Sequence, residues 1–276
     1  MVPQVRAKTK SPKPHKAAKL MARSSSATAG SRDGLPRKAE SEDDRRERIL
    51  RAAILEFSRH GLAGARTDAI AASAGVNKAL LYYYFHSKTE LYAVALDTSA
   101  AQMLESALRA LEHEGSAGER LLRTALDHFD RIASQHEYRQ LIHQELARLR
   151  ESNSEAVPAP LEKIFSVLMH KMRLVLAEGM KSGELIRTDW MQVIYAVLGA
   201  NVFYFLSAPM MRRVAEFDPL DECGIRKRRR AALLLLGASL FQDRTQGEQL
   251  ARKVLRDTPP AAAYKWQHSP SGVPTR

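Results

Sequence analysis

The sequence predicts an all-α protein, a short N-terminal three-helix unit followed by a longer helical body, and three observations carry that expectation. Apolar residues recur at helical spacing from Ile49 onward; residues that start and stop helices punctuate the pattern at short intervals; and no β-rich segment or internal repeat interrupts it. With 276 residues, 45% of them hydrophobic, the chain can bury a full core. The predicted organisation is a basic, disordered tail over 1–40, a compact unit over 41–90, a helical body over 91–245 and a mostly disordered tail over 246–276.

The first forty residues lack apolar periodicity and are rich in Lys, Pro, Ser and Ala, so they are expected to be disordered in isolation. They carry ten Lys and Arg against Asp33 and Glu40, and so account for eight of the twelve net positive charges. Two readings of this tail stand side by side: an electrostatic arm along a polyanion, or a solvated extension with Met21 as an alternative start. No apolar core of a signal peptide is present. The single cysteine, Cys223, excludes an intrachain disulfide and a cysteine-rich zinc site. No phosphate loop, metal-ligand cluster or nucleophile elbow occurs, and the nine histidines are scattered, so no enzyme, metal or cofactor is expected.

The stretch from Arg66 to Leu91 reads as two short helices joined by a tight turn, then the start of a third. Thr67 is placed to N-cap the first, with Asp68 at its positive end; Gly75 can close it in the left-handed conformation. Asn77 can cap the second helix, and Ser87 with Glu90 has capping-box spacing at the start of the third. In the second helix Leu81 and Phe85 share one face, flanked by Val76, while Lys78, Tyr82 and Tyr83 lie on the other. Consecutive tyrosines in a core would strand hydroxyls, whereas against DNA they can donate to phosphates and lay rings on thymine methyls.

These residues give the chain a clear likeness. Ile49, Ala52, Ala53, Phe57, Gly61, Thr67, Ile70, Ala71, Ala74-Gly75-Val76, Leu81-Tyr82, Tyr84-Phe85, Ser87-Lys88 and Leu91 stand at the spacings of the TetR/AcrR family of bacterial transcriptional regulators, which the chain resembles over about Arg46 to Leu96. Ala79 and Leu80 depart from the commonest pattern, at positions in the second helix that bear on base reading. The resemblance implies a cytoplasmic, ligand-responsive, sequence-specific regulator that binds a double-stranded DNA operator as a homodimer, most commonly as a repressor. Thr67, Tyr82 and Lys88 are then expected to contact phosphates, and Asn77, Lys78, Leu80 and Tyr83 to face bases. The alternative is a helical ligand sensor or interaction scaffold without operator binding.

Beyond the unit, helices are predicted over Leu91 to about Glu114, Ala117 to Ser134, Glu137 to Arg150 and Leu161 to Lys181, with a Pro-containing loop over Glu151 to Pro160. Trp190 to Met211 is apolar nearly all round and approaches membrane-spanning length, but Gln192, Asn201, Ser207 and Pro209 favour a core or interface helix, and no membrane association is expected. Ala231 to Phe241 is a shorter apolar partner, and Gly199-Ala200 and Gly237-Ala238 would permit close helix approach. By resemblance these last two helices form the dimer interface. Arg226-Lys227-Arg228-Arg229-Arg230 reads as a solvated or salt-bridged helix entrance rather than a second nucleic-acid contact. Resemblance also implies an effector pocket, with Phe129, His143, Phe165, Met169, Tyr195 and Phe205 as candidate walls, and the few unpaired ionisable residues in these helices point to a small, mainly apolar molecule.

Overall fold

The computed structural model describes residues 41–260 apart from 136, 138, 139, 142, 143, 146, 149–158 and 216. The tail over 1–40 and residues 261–276, and most of the loop over 151–160, lie outside them. The first helix, α1 (Glu42–Gly64), opens on a full capping box: Asp44 N–H donates to Ser41 Oγ at 3.1 Å, and Ser41 N–H to Asp44 Oδ2 at 3.2 Å. Gly61, at φ 65°, breaks the helix before its last turn.

Two short helices follow, α2 (Thr67–Ser73) and α3 (Lys78–Tyr84), then the long α4 (Lys88–Leu111). Gly75, at φ 64°, ends α2 with a paired closure in which Gly75 N–H donates to Ala72 O and Val76 N–H to Ala71 O. The α1–α4 unit packs round Ile49, Phe57, Ile70, Leu81, Phe85 and Leu91, all essentially inaccessible to solvent. Phe57 and Tyr92 meet edge to face at 5.0 Å.

The body continues through α5 (Ala117–Ser134), α6 (Ala159–Ser182), α7 (Trp190–Val214), α8 (Glu222–Leu240) and α9 (Arg244–Asp257). Between α5 and α6, residues 140, 141, 144, 145, 147 and 148 are helical. Leu141 from this stretch completes the core of the α1–α4 unit, so that core is not closed by the unit's own helices alone. A second, larger cluster joins α4 to α9 through residues such as Leu111, Leu122, Leu176, Ile194, Leu233 and Val254, and a third gathers Phe129, Ile132, Phe205 and Ile225. Among the described residues there is no strand beyond an isolated antiparallel bridge between Leu185 and Phe241.

Three expectations are corrected. The helix predicted to run to Glu114 ends at Leu111. The tail expected from 246 is helical through Asp257, because Gly247, Ala251 and Val254 give α9 a buried stripe against α8. A Cβ at Gly237 would run into the Gly247 carbonyl, so the close approach at Gly237 is to α9; Gly199 faces open space.

Candidate nucleic-acid interface

On α3, the apolar side seats the helix and the polar side is left out. Leu81 and Phe85 are buried, Leu80 is half-buried, and Tyr82 and Tyr83 are 36% and 67% exposed. Tyr83 and the half-buried Tyr84 pack edge to face at 5.3 Å, which stiffens the exposed ring. Asn77 fixes the helix start, its Oδ1 accepting from Leu80 N–H at 2.7 Å, and Asn77 and Lys78 are themselves exposed.

The site's polar side chains are tied to one another. Thr67 does not cap α2, since Arg66 occupies the cap position without a side-chain bond; Thr67 is the first helical residue, and its hydroxyl lies 3.3 Å from the Tyr82 hydroxyl. The physical reason is geometric: α3 crosses near the start of α2 and offers Thr67 a phenol partner. Lys78 reaches across to Asp68 at 2.9 Å, and the hydrogen bond and then the charge of Asp68 raise its pKa. Lys88 donates to the Ala63 carbonyl at 3.1 Å, satisfying an acceptor at the end of α1. Ser87 Oγ accepts from Glu90 N–H at 3.0 Å, the forward half of the expected box.

The structure therefore gathers all seven sequence-predicted residues around α3 and its flanks, with Tyr83 and Lys78 the most projecting and Thr67 the most enclosed. Sequence reasoning missed Asp68 as the partner of Lys78. The two residues are ten apart and share no helix, so periodicity could not pair them.

The helix that receives Tyr92 adds a buried polar link to the body. Tyr92 OH donates to Glu145 Oε2 at 2.7 Å, and Arg148 donates to the same carboxylate at 2.5–3.1 Å. Burial works to raise the pKa of Glu145, but the bonds from Arg148 and Tyr92 outweigh it and hold it below the usual carboxylate range; burial, first, and the bond to Glu145 push Tyr92 up. Gln144 Nε2 donates to the Ser58 carbonyl of α1 at 2.8 Å.

In the body a cavity of about 140 Å³ lies among α5, α7 and α8, lined chiefly by apolar groups including Phe129, Ala196, Val197, Ala200, Leu233 and Leu236. Of the candidate pocket walls only Phe129 lines it. Phe205 is buried against Phe129 with centroids 5.4 Å apart, and Met169 packs half-buried on the larger core. Phe165 and Tyr195 are 37% and 67% exposed on the outer faces of α6 and α7, and His143 lies outside the described residues. The small residues that make the space, Ala196, Ala200 and Ala232, were missed because they leave a hollow rather than advertise a contact. Among the described residues no group of acids, histidines and cysteine could hold a metal ion.

An exposed tyrosine-bearing helix joined to a short partner helix across a left-handed glycine is the geometry of a helix-turn-helix module. Residues 49–95 match the model of bacterial regulatory proteins, tetR family. The chain is 56% identical over 50 residues to the HTH-type transcriptional repressor SCO4008 of Streptomyces coelicolor, an alignment covering 18% of this chain and 26% of that protein. It thus spans about a quarter of the length of the curated relatives it matches first, the other being NicS of Pseudomonas putida at 28%. The fold is also that of the transcriptional regulator SCO4942 from Streptomyces coelicolor, with TM-score 0.56, 26% identity, and 71% of this chain and 97% of that one covered. FadR from Bacillus subtilis, at TM-score 0.52 and 20% identity over 69% of this chain and 96% of that one, is alike in fold alone. Residues 49–95, within α1 to α4, thus carry the N-terminal motif of the tetR-family bacterial regulators.

Proposed function

We propose that this protein is a cytoplasmic, sequence-specific DNA-binding regulator, acting as a repressor that a small, mainly apolar molecule releases from its operator. The observation that supports it most is the exposed face of α3. Tyr83, Lys78 and Asn77 project from a helix whose opposite side is locked in the core, as a recognition helix requires. In this reading Thr67, Tyr82 and Lys88 hold phosphates, and Asn77, Lys78, Leu80 and Tyr83 read bases. The domain boundaries proposed are 41–90 for the DNA-binding unit and 91–257 for the effector and dimerisation body, with the tail over 1–40 as an added electrostatic arm.

A homodimer accounts for α7 and α8. Trp190–Val214 is long and apolar enough to cross a membrane, yet one side of it packs on α5 and α6 while Tyr195, Phe203, Leu206 and Met210 stay exposed at helical spacing on the other. Leu235 on α8 is 67% exposed. A second copy covering this face would bury the stripe and set two recognition helices at a fixed spacing on DNA. An effector acts by favouring the conformer in which that spacing is wrong, and ligand and operator then weaken each other by the same factor. The FadR structure is a complex with stearoyl-CoA, a molecule with a long apolar chain.

The test is binding of the full chain to DNA flanking its own gene and to a shuffled duplex across a salt series. Preference for the native DNA that persists at physiological salt supports the reading. Equal binding to both, lost when residues 1–40 are removed, would reduce the protein to an electrostatic binder and overturn it.

A further inference from the structure

The run Arg226-Lys227-Arg228-Arg229-Arg230 does not behave as one solvated patch. Arg226 pairs with Glu222 one turn away at 2.5 Å, in solvent. Arg229 is 5% exposed and fully engaged: its Nε and Nη2 hold Asp130 at 2.7 and 2.8 Å, and Nη2 also reaches the Thr258 carbonyl at 2.6 Å. Arg228 differs from both. Its guanidinium lies 5.4 Å above the Tyr204 ring and its Nη2 donates to the Ala200 carbonyl at 3.3 Å, but its Nε is buried with no acceptor. Among the described residues no carboxylate stands within ion-pair distance of it.

Arg228 also lines the cavity among α5, α7 and α8, whose other walls are mostly apolar, among them Phe129, Ala200, Leu233 and Leu236, with Asn201, Ser239 and Arg229 as the polar exceptions. The other charges near this space are already spent. Arg229 is neutralised by Asp130, and Arg131 by Asp127 at 2.8 Å. His128, whose Nδ1 accepts from Asn201 Nδ2 at 3.2 Å, is held neutral by burial. An apolar hollow with one unpaired cation at its edge is complementary to a molecule with an apolar body and a single anionic head.

We infer that this cavity is a binding site for an amphipathic carboxylate, with Arg228 receiving the carboxylate and the α5–α7–α8 hollow receiving the chain. The inference rests on the regulator reading only for its consequence, that such a molecule is the effector; the site itself is argued from the cavity and Arg228. The cavity opens on the face that the proposed dimer would bury, so the assembled protein, and no isolated fragment, is the object to test.

The experiment is calorimetric titration of the purified full chain with octanoate and with octanol, in the absence of DNA, repeated on Arg228→Gln and Arg228→Lys. Octanoate should bind at least about tenfold more tightly than octanol, Arg228→Gln should remove that preference, and Arg228→Lys should keep most of it because the charge remains. Equal binding of the acid and the alcohol overturns the assignment. So does unchanged octanoate binding by Arg228→Gln, or no binding of either probe, as when a partner's side chain fills the hollow. Octanoate binding that leaves native-DNA binding unaltered would count against the effector role while upholding the site; absence of sequence-specific DNA binding would count against the regulator reading alone.

Discussion

The two ends of the molecule use charged and hydroxyl side chains in opposite ways. Around α3 the pairs lie in solvent: Lys78 and Asp68 are 50% and 60% exposed. The body has surface pairs too, such as Arg226 with Glu222, but it also holds enclosed ones. Arg229 and Asp130 are 5% and 17% exposed, and Glu119, 7% exposed, holds both Arg123 at 2.8 Å and Lys253 at 3.0 Å. An exposed pair contributes little to stability and can be exchanged for another partner at low cost. An enclosed pair is costly to break, since the group left behind cannot return to water. The surface pairs therefore suit a site that trades its partners for phosphate and base edges, and the enclosed ones suit a scaffold, here tying α5 to α8 and α9.

That contrast can be broken most forcefully in the body. Replacing Arg229 with Met removes the guanidinium that Asp130 and the Thr258 carbonyl share, and should lower unfolding free energy by about 3–5 kcal/mol in urea titration. A loss under about 1 kcal/mol would show the pair to be as dispensable as a surface one. Next in size, Tyr92→Phe removes a donor from the buried Glu145 and should cost about 1–3 kcal/mol by the same measurement. Its effect on DNA binding should follow from the seating of α4, which begins at Lys88, so native and shuffled DNA should both be affected.

His128 offers a pH test within the body. Although its edge keeps some access to solvent, burial depresses its pKa from 6.5 to about 4. The unfolded chain takes up the proton first, so stability should be unaffected above about pH 6.5 and fall between there and pH 4, by on the order of 1–3 kcal/mol from this group. Urea midpoints across that range should slope less in His128→Asn, whose amide cannot titrate. An identical slope in both proteins would assign the acid sensitivity to other groups.

The surface substitutions should move stability least. Lys78→Met should leave the urea midpoint nearly unchanged while weakening binding to native DNA. Lys88→Ala should weaken binding to every duplex and reduce the salt slope by about one unit; an unchanged slope would take it off the phosphate list.

The legible part of the sequence was the part where local chemistry dictates geometry. Gly75 closes α2 in the left-handed conformation, Asn77 and Ser87 cap the helices that follow, and Leu81 and Phe85 are buried, each as their spacing implied. Ala117–Ser134 was readable to its ends because Ser116 caps it and its apolar stripe is strong. What could not be read depended on neighbours distant in the chain. Thr67 lost its cap role to Tyr82, Lys78 found Asp68, and α9 was taken for a tail because its buried face is made of Gly247, Ala251 and Val254 rather than large side chains. The cavity was illegible for the same reason. Its walls come from three helices, and the alanines that shape it carry no functional signal of their own.

The central claim, that the exposed face of α3 reads DNA sequence, is tested most directly by the ratio of affinities for native and shuffled DNA in the wild-type protein and in Tyr83→Ala, with thermal unfolding followed alongside. Tyr83 is 67% exposed, so the substitution should leave the melting temperature nearly unchanged while the ratio falls toward one. A proportionate loss on both DNAs, with the ratio intact, would contradict base reading by this face.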